Sequence, residues 1–232
     1  MSIIYHDDIL QGSDEWLQLR CGILTASEMK LIITPTLKIA SNDKERGHLY
    51  ELLSQRITKY VEPHYVSDDM LRGHEDEIKA REKYHNEVSP VTNCGFITND
   101  EWGFTVGYSP DGLVDDDNGL IEAKSRRQKY QVQTIIEHHL TGEIPADYMM
   151  QCQAGMMVAK RDWVDLISYC GGMPMRVMRV RPDVQIQAAI LDASNMFETR
   201  IADKMAAYFD AISSDVGGNF PTERTVELEM YV

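Results

Sequence analysis

The stretch "SPDGLVDDDNGLIEAKS", residues 109–125, has the pattern of a β-hairpin with charged side chains at its ends. Glu122 and Lys124 are two residues apart in the apolar run "LIEAK", so in an extended strand their side chains project from the same face. The "NG" dipeptide before this run is a strong signal for a tight turn. Such a turn would fold the chain back and bring Asp111 close to Glu122. We therefore expect two neighbouring carboxylates beside a lysine.

These residue types are suited to the hydrolysis of a phosphodiester. The carboxylates of Asp111 and Glu122, with the backbone carbonyl of Ala123, form an oxygen-only ligand set of the kind that Mg²⁺ or Mn²⁺ prefers. The charge of Lys124 opposes a bound cation, which makes sense if an anion binds there as well. A metal-polarised water could attack a phosphodiester held at this point, and Lys124 would offset the charge that develops.

Two simpler explanations of the same residues compete with this one. Glu122 and Lys124 could form an ordinary exposed face of a strand, and "DDDN" could be only a solvated turn. A calcium-binding loop is disfavoured, because the helix-loop-helix pattern needs an acidic residue where Val114 stands.

Length and composition are typical of a folded soluble protein. The chain has 232 residues, of which 43% are apolar and 26% are charged, enough for one substantial core. We expect a single domain over residues 1–232, with a C-terminal helix and tail from about residue 183. There is no apolar run of membrane-spanning length and no basic start followed by an apolar stretch, so we expect a cytoplasmic protein with no membrane partner.

The formal net charge of −14 disfavours a polyanionic partner, because the summed field of the protein would repel it. Basic residues are nevertheless concentrated in two blocks. One follows the hairpin, and the other lies in the strand-like segment 176–181. Nucleic acid that passed over these blocks would find local phosphate contacts. The members of the two blocks are Lys124, Arg126, Arg127 and Lys129, and Arg176, Arg179 and Arg181.

The cysteines form no CxxC pair and no group with histidine at zinc-site spacing. We expect them to be reduced thiols in the core, where free cysteine is most often found. They are Cys21, Cys94, Cys152 and Cys170.

The rest of the chain predicts helices and strands in alternating groups. Ser27 is expected to cap a helix in "TASEMKLII", and "SDD" at 67–69 is expected to lie in a connection. After Pro90, the pieces "VTNCGFIT", "GFTVGYS" and "LIEAKS" are expected to form an antiparallel meander. The fold class is therefore α/β or α+β, with a central mixed sheet flanked by helices. Helices are predicted over 43–61, 73–88, around 131–140, 146–160 and 183–212, and further strands over 163–170 and 175–181.

Several blocks of the sequence occur together in a recognisable order. "EWLQLRCGILTASE", residues 15–28, contains a Trp, an Arg four positions later and a Thr-Ala-Ser. "RGHEDEIKA" has the form Gly-x-x-x-Glu-x-x-Ala, "SPDG" is followed by "IEAK" in the hairpin, and "DYMMQCQAGMMV" has the form Tyr-x-x-Gln-x-Gln. In this order the blocks resemble the phage lambda-type exonuclease family, or YqaJ-like viral recombinases, of the PD-(D/E)xK nuclease superfamily. The resemblance implies a restriction-endonuclease-like core.

The resemblance also implies roles for individual residues. A helix start at Ser27 and the fork-shaped guanidinium of Arg20 agree with phosphate binding. The chain departs from the family pattern at Cys21 and in the basic continuation "SRR" after the lysine. The implied catalytic residues are Asp111, Glu122, Lys124, Glu77 and Gln151, with Asp111, Glu122 and Ala123 as metal ligands. The implied contacts to the 5′-phosphate and to DNA are Arg20, Ser27, Ser109, Trp16, Tyr148, Arg126 and Arg127.

The activity that the resemblance implies is Mg²⁺-dependent, with Mn²⁺ as a substitute and two ions per active site. It is a 5′→3′ exonuclease on linear double-stranded DNA with a 5′-phosphorylated end, releasing 5′-mononucleotides and leaving a 3′ overhang. The implied partners are a single-strand annealing protein and two further copies in a ring-shaped homotrimer, in a bacterial host that carries a phage or prophage. The alternatives are a structure-specific or restriction-type endonuclease and a non-catalytic DNA-binding recombination protein.

Overall fold

A computed structural model describes residues 2–63, 67–214 and 218–224. The strands β1 to β8 are Ile3–His6, Leu24–Thr25, Phe96–Asn99, Val106–Tyr108, Gly112–Val114, Gly119–Ser125, Trp163–Tyr169 and Arg176–Val180. The helices α1 to α7 are Asp14–Arg20, Met29–Ile32, Asp43–Thr58, Asp68–Glu87, Gln128–Thr141, Ala146–Ala159 and Val184–Ser213. Short 3-10 turns are formed by Ala26–Glu28 and Asp115–Asp117.

The strands divide between two mixed four-stranded sheets, with the orders β1-β3-β4-β2 and β5-β6-β7-β8. The α+β class with a mixed sheet flanked by helices is confirmed, but the continuous meander is wrong. Strands β3 and β4 pair antiparallel, as do β5 and β6, while β4 and β5 belong to different sheets. The chain crosses between the sheets at Ser109, Pro110 and Asp111. A proline has no amide hydrogen to donate to a ladder, which favours a break here.

The predicted hairpin is confirmed within the second sheet. Gly112 pairs with Ile121, and Val114 pairs with Gly119, in antiparallel register. The tight turn expected at Asn118-Gly119 is wrong, because residues 115–118 form a longer loop with a 3-10 turn and Gly119 already belongs to β6. Asn118 closes this loop in the left-handed conformation, with a φ of 49°. Gly119 is required by a close approach, because a Cβ atom there would lie 2.1 Å from the ring of Trp163 on β7.

Helices cover both faces of the second sheet. One apolar cluster joins Leu120 and Leu166 to helices α2, α3, α6 and α7. A smaller cluster packs Ala80 and Tyr84 of α4 against Ile121 on the other face. Alternate residues of β6 therefore enter different cores, which is why almost the whole strand is buried.

The predicted helices and late strands are found with shifted ends. Ser67 is the N-cap of α4, where its side chain accepts a hydrogen bond from the amide of Met70, so "SDD" begins the helix instead of lying in the connection. Ser27 is not a cap, since Thr25 occupies that position and its amide donates to Glu28 Oε2 at 2.9 Å. Of the predicted C-terminal tail, 218–224 contains neither helix nor strand, and 215–217 and 225–232 lie outside the described residues.

Three of the cysteines, Cys94, Cys152 and Cys170, are buried thiols as predicted, while Cys21 is half-buried. Burial raises the pKa of the Cys94 thiol to about 12, so this sulfur stays protonated and unreactive at neutral pH. In the part of the chain that the structure describes, no helix has the length and hydropathy needed to cross a bilayer.

Helix α6 lies unusually close to the first sheet at Gly155. A Cβ atom at this position would lie 2.8 Å from Cζ of Tyr108, whose side chain is almost fully buried. Gln151 is four residues earlier and therefore on the same face of the helix. The absence of a side chain at Gly155 thus sets how near the polar side chain of Gln151 comes to the strands.

We expect Gly155→Ala to lower the free energy of unfolding by about 1–3 kcal/mol, the usual cost of overpacking. The matched control is Gly47→Ala in α3, where a Cβ atom would meet nothing within 4 Å. That substitution should raise stability by about 0.5–1 kcal/mol through helix propensity. Urea midpoints at unchanged m values measure both effects. A gain in stability from both variants would contradict the close-approach explanation.

Candidate active site

The carboxylate of Glu122 is 1% exposed and accepts hydrogen bonds from three directions. The Tyr108 hydroxyl donates to Oε2 at 2.8 Å. Lys124 Nζ and Gln151 Nε2 donate to Oε1 at 2.5 Å and 2.6 Å. The strand geometry expected for Glu122 and Lys124 is therefore present, and the two side chains form an ion pair that is largely removed from solvent. The structure thus excludes an ordinary exposed strand face.

Asp111 is brought to the same point by the start of β5. Its Oδ2 accepts a hydrogen bond from the amide of Ala123 at 2.6 Å, beyond the last ladder pair between Gly112 and Ile121. The N–H and C=O of one residue point to the same side of an extended strand. The carbonyl of Ala123 is therefore directed towards Asp111, on the edge of β6 that β5 no longer covers.

The buried charges of this group shift one another's protonation. Burial and the negative charge of Glu122 raise the pKa of Asp111 well above its usual range. Burial also raises the pKa of Glu77, although the charge of Lys124 opposes this shift. Burial disfavours the ammonium form of Lys124, but Glu122 and Asp111 outweigh it, so the pKa of Lys124 is raised. The carboxyl groups of Asp111 and Glu77 therefore resist ionisation in the metal-free protein, while the ammonium of Lys124 keeps its proton.

The chemistry of the donors fits a hard divalent cation. Asp111, Glu122 and the carbonyl of Ala123 present oxygen atoms only, and the mutual repulsion of the two carboxylates would be relieved by a cation between them. Over residues 2–63, 67–214 and 218–224, no three His, Cys, Asp or Glu side chains are grouped so as to hold a metal. A bound ion would therefore depend on the carbonyl and on non-protein oxygens as well as on the carboxylates.

Glu77 lies on α4 and borders a cleft of about 280 Å³ that Asp111 also lines. His74 and Arg81, one turn before and after Glu77, line the same cleft. The cleft therefore reaches Asp111 and Glu77, whereas Glu122 does not line it. Its lining also includes Gly95, whose carbonyl accepts a hydrogen bond from Trp16, one of the predicted phosphate-binding residues.

Trp16, Arg20 and Ser109 form one connected group. The indole Nε1 of Trp16 donates to Ser109 Oγ at 2.9 Å and to the Gly95 carbonyl at 3.2 Å. Arg20 Nη1 donates to the same hydroxyl at 3.2 Å, and its guanidinium lies 4.2 Å from the centre of the Trp16 ring. Burial lowers the pKa of Arg20 while Glu28 opposes the shift. The guanidinium is thus desolvated and has donors left for an anion.

Ser27 reaches the same region through strand pairing. Strands β2 and β4 are parallel, with Thr25 opposite Gly107. Ser27 and Ser109 each lie two residues beyond this pair, so both follow the same end of the two paired strands. The Ser27 hydroxyl lies 3.1 Å from Thr25 Oγ1.

Tyr148 links the carboxylates to the first basic block. Its ring lies 5.8 Å from Lys124 Nζ, and its hydroxyl accepts a hydrogen bond from Arg126 Nη1 at 2.7 Å. Arg127 points elsewhere and pairs with Asp69 at 2.6 Å. The predicted site residues thus lie in three adjoining groups. One contains the carboxylates of Asp111 and Glu122, one is centred on Trp16 and one on Tyr148.

The second basic block has internal partners. Arg179 donates two hydrogen bonds to buried Asp165 and stacks 3.5 Å from the centre of the Trp163 ring. Arg176 donates to His138 Nδ1 at 3.0 Å. These contacts join β7, β8 and α5. Glu101, a possible extra carboxylate by sequence, pairs with Lys160 at 2.5 Å instead.

Tyr108 is the contact that sequence patterns missed. It precedes "SPDG" directly, but nothing local indicates that its hydroxyl meets Glu122, 14 positions later and in the other sheet. The only signal was its position at the end of a strand aimed at the motif. Burial and the charge of Glu122 raise the pKa of Tyr108, so the hydroxyl remains a donor.

The model of the YqaJ-like viral recombinase domain matches residues 15–162. The chain belongs to the YqaJ-like viral recombinase family. The matched segment includes every predicted site residue and ends just before β7. No curated protein sequence matches the chain.

Solved structures share the YqaJ-like fold of this chain. An alkaline exonuclease from Laribacter hongkongensis, LHK-Exo, is 28% identical with a TM-score of 0.75, over 87% of this chain and 98% of that one. The complex of LHK-Exo with dAMP gives 29% identity and a TM-score of 0.76 over the same shares. A phage-related exonuclease from Haemophilus somnus 129PT is 13% identical, with a TM-score of 0.57 over 79% and 96% of the chains, and shows likeness of fold alone.

We expect Asp111→Asn to stabilise the metal-free protein by about 1–2 kcal/mol near pH 8, the usual gain when a strained functional group is neutralised. The folded-state pKa of Asp111 is raised, so its ionisation costs stability that grows as the pH rises above the unfolded value of about 3.9. The gain should therefore shrink towards pH 5. Urea unfolding in EDTA at both pH values measures it, with exposed Asp203→Asn as the control for net charge. An equal gain at both pH values would exclude this cause.

Proposed function

We propose that this protein is a nuclease of the PD-(D/E)xK superfamily, and specifically a Mg²⁺-dependent 5′→3′ exonuclease on linear double-stranded DNA. The observation that supports it most is the buried junction where Asp111, Glu122 and Lys124 meet, because an ion pair beside a second carboxylate suits a cation and a phosphate together. The likeness to LHK-Exo supports the same conclusion. The products would be 5′-mononucleotides and a 3′ overhang, and the reported complex of LHK-Exo with dAMP agrees with such a product.

Asp111, Glu122 and the carbonyl of Ala123 would hold Mg²⁺, or Mn²⁺ in its place, and a second ion would bind towards Glu77. The metal would polarise the scissile phosphate and lower the pKa of a water molecule. Gln151 and Tyr108 keep the Glu122 carboxylate oriented by donating to its two oxygens.

Lys124 acts in this proposal as a charged donor and not as a base. Its raised pKa keeps the ammonium protonated at neutral pH, so it does not take a proton from water. It can instead orient the attacking water and offset negative charge on the phosphate as the bond to the leaving oxygen breaks. The carboxylates that raise its pKa also hold it in place.

The end of the DNA would be read by Arg20, Ser109 and Ser27, with Trp16 as the support for Arg20. A terminal phosphate fits a desolvated guanidinium with two hydroxyls nearby. Tyr148, Arg126 and Arg127 would contact the continuing backbone. Binding at the end of a strand, next to the carboxylates, distinguishes an exonuclease from a restriction-type endonuclease.

The remaining parts of the proposal concern partners. A ring-shaped homotrimer would keep the enzyme on its substrate, and a single-strand annealing protein would take up the 3′ overhang. Both would act in the cytoplasm of a bacterium that carries the phage or prophage. The net charge of −14 would limit non-specific retention of DNA away from the basic regions.

The proposal is tested by digestion of linear duplexes labelled at each strand end in turn, with and without Mg²⁺. We expect loss of the 5′ label first, as mononucleotide, only with the metal, and no cleavage of closed circular plasmid. Lys124→Ala should bind DNA but cleave it about 10²–10³ times more slowly. Cleavage of the closed plasmid would favour an endonuclease, and no hydrolysis of any DNA would favour a non-catalytic protein.

We expect Arg20→Ala to reduce the ratio of the cleavage rates on 5′-phosphorylated and 5′-hydroxyl ends by about tenfold or more. The reason is that a charge-assisted hydrogen bond to phosphate is worth about 1.5–3 kcal/mol. The rate on hydroxyl ends should change little, which serves as the internal test of folding. Exposed Arg46→Ala removes the same charge from α3 and should keep the preference. An unchanged ratio in Arg20→Ala would reject this role.

A further inference from the structure

A basic cavity lies at the start of α5 and shares no lining residue with the cleft that contains Asp111 and Glu77. It has a volume of about 530 Å³, and its lining includes Arg72, Arg126, Arg127 and Lys129. We call it the α5 pocket. Arg72 comes from α4 and was not part of either basic block in the sequence. Four cationic side chains from two distant segments therefore line one space, against a single lining carboxylate, that of Asp76, which accepts a hydrogen bond from Ser125 Oγ at 2.6 Å.

The α5 pocket lies at the carboxyl ends of the parallel strands β6 and β7. The amide of Arg126 donates to the carbonyl of Tyr169 at 2.7 Å, just past the end of both strands. Arg126 follows Lys124 by two residues, about 6.6 Å at the usual rise of a strand. Tyr148 fills the space between their cationic groups. The pocket is thus the immediate neighbour of the proposed scissile phosphate, on the β7 side, whereas Asp111 and β5 flank the other side.

Backbone and side-chain donors in the α5 pocket are incompletely used. Helix α5 begins at Gln128, and its N-cap residue Arg127 makes no side-chain capping bond, so the first amides face outward. The helix dipole adds partial positive charge at this end. Arg126 Nε is buried and has no hydrogen-bond partner in the described parts of the chain. Together with the four cations, these groups favour an anion.

One anion already bridges two of the arginines that line the pocket, the carboxylate of Asp69. Its Oδ1 accepts from Arg127 Nη2 at 2.6 Å and from Arg72 Nη1 at 2.9 Å. The Asp69 side chain is 59% exposed, and ion pairs of this kind contribute little to stability. A phosphate oxygen offers the same two arginines an equal or better acceptor at little cost in folding energy.

We propose that the α5 pocket binds a backbone phosphate of the DNA strand being cleaved, beyond the scissile linkage, and that this phosphate replaces Asp69 between Arg72 and Arg127. The inference rests on the proposed nuclease function and adds a second point of attachment to it. We assign this phosphate to the cleaved strand because Lys124, which would contact the scissile phosphate, and Arg126, which lines the pocket, follow one another along the chain at the end of β6. Asp69 acts as an internal competitor that weakens the grip on DNA.

The proposal predicts opposite effects from two neighbouring substitutions. In EDTA, Arg127→Gln should weaken binding of a 5′-phosphorylated duplex about tenfold and reduce the salt slope by about one contact. Asp69→Asn removes the competitor and should tighten binding severalfold. Lys204→Gln, on the exposed side of α7, makes the same charge change as Arg127→Gln and should have no effect. Equal weakening by Arg127→Gln and Lys204→Gln, or weaker binding by Asp69→Asn, would overturn the proposal.

The strand and the position are tested with single neutral methylphosphonate linkages placed along either strand. One linkage in the cleaved strand, near the 5′ end, should weaken binding to the wild type but not further weaken binding to Arg127→Gln. This loss of additivity identifies the contacted phosphate. If Arg127→Gln were coupled only to linkages in the complementary strand, the assignment to the cleaved strand would be wrong. If the losses of affinity from Arg127→Gln and from the linkage were additive at every position, the α5 pocket would not be a phosphate site.

Failure of this inference is distinguishable from failure of the proposed function. The wild type could digest labelled duplex while Arg127→Gln shows no coupling to any methylphosphonate linkage. The nuclease assignment would then stand, and the proposal that the α5 pocket binds a phosphate would be rejected. If the wild type neither binds nor cleaves DNA, both are rejected.

Discussion

The buried carboxylate of Glu122 holds the two sheets and helix α6 together at the candidate site. Tyr108 reaches it from β4 of the first sheet, Lys124 from its own strand in the second sheet, and Gln151 from α6. An ionised carboxylate without such partners would cost several kcal/mol to bury. The three donors therefore have to be in place whenever the chain is folded, and they fix the relative positions of the elements that carry them.

The packing around Glu122 leaves little room for a change in shape. Helix α6 comes close enough for Gln151 to donate only because Gly155 presents no side chain to the Tyr108 ring. Asp111 is held by the amide of Ala123 although its charge is repelled by Glu122. Ionisation of Asp111 beside Glu122 opposes folding in the absence of a cation, and a cation between the two carboxylates would relieve that repulsion.

Local charge, and not the net charge of −14, decides where an anion can bind. Arg20 is desolvated beside Trp16 and Ser109, and Arg72 and Arg127 converge on Asp69. Arg179, by contrast, is tied to buried Asp165 and stacks on Trp163, so it stabilises the second sheet. Arginines that look equivalent in the sequence thus differ in whether they can bind an anion, because the side chains they pair with come from other elements of the fold.

The sequence by itself determined the hairpin, the shared face of Glu122 and Lys124, and most of the helices, because these depend on alternation and on helical spacing over short distances. It did not determine that β4 and β5 belong to different sheets, that Tyr108 bonds Glu122, or that Arg72 meets Arg127 through Asp69. Those contacts join residues far apart in the chain or in different sheets, where no local periodicity records them. Only tertiary packing decides them, since burying one carboxylate selects its donors from whichever elements the core brings near.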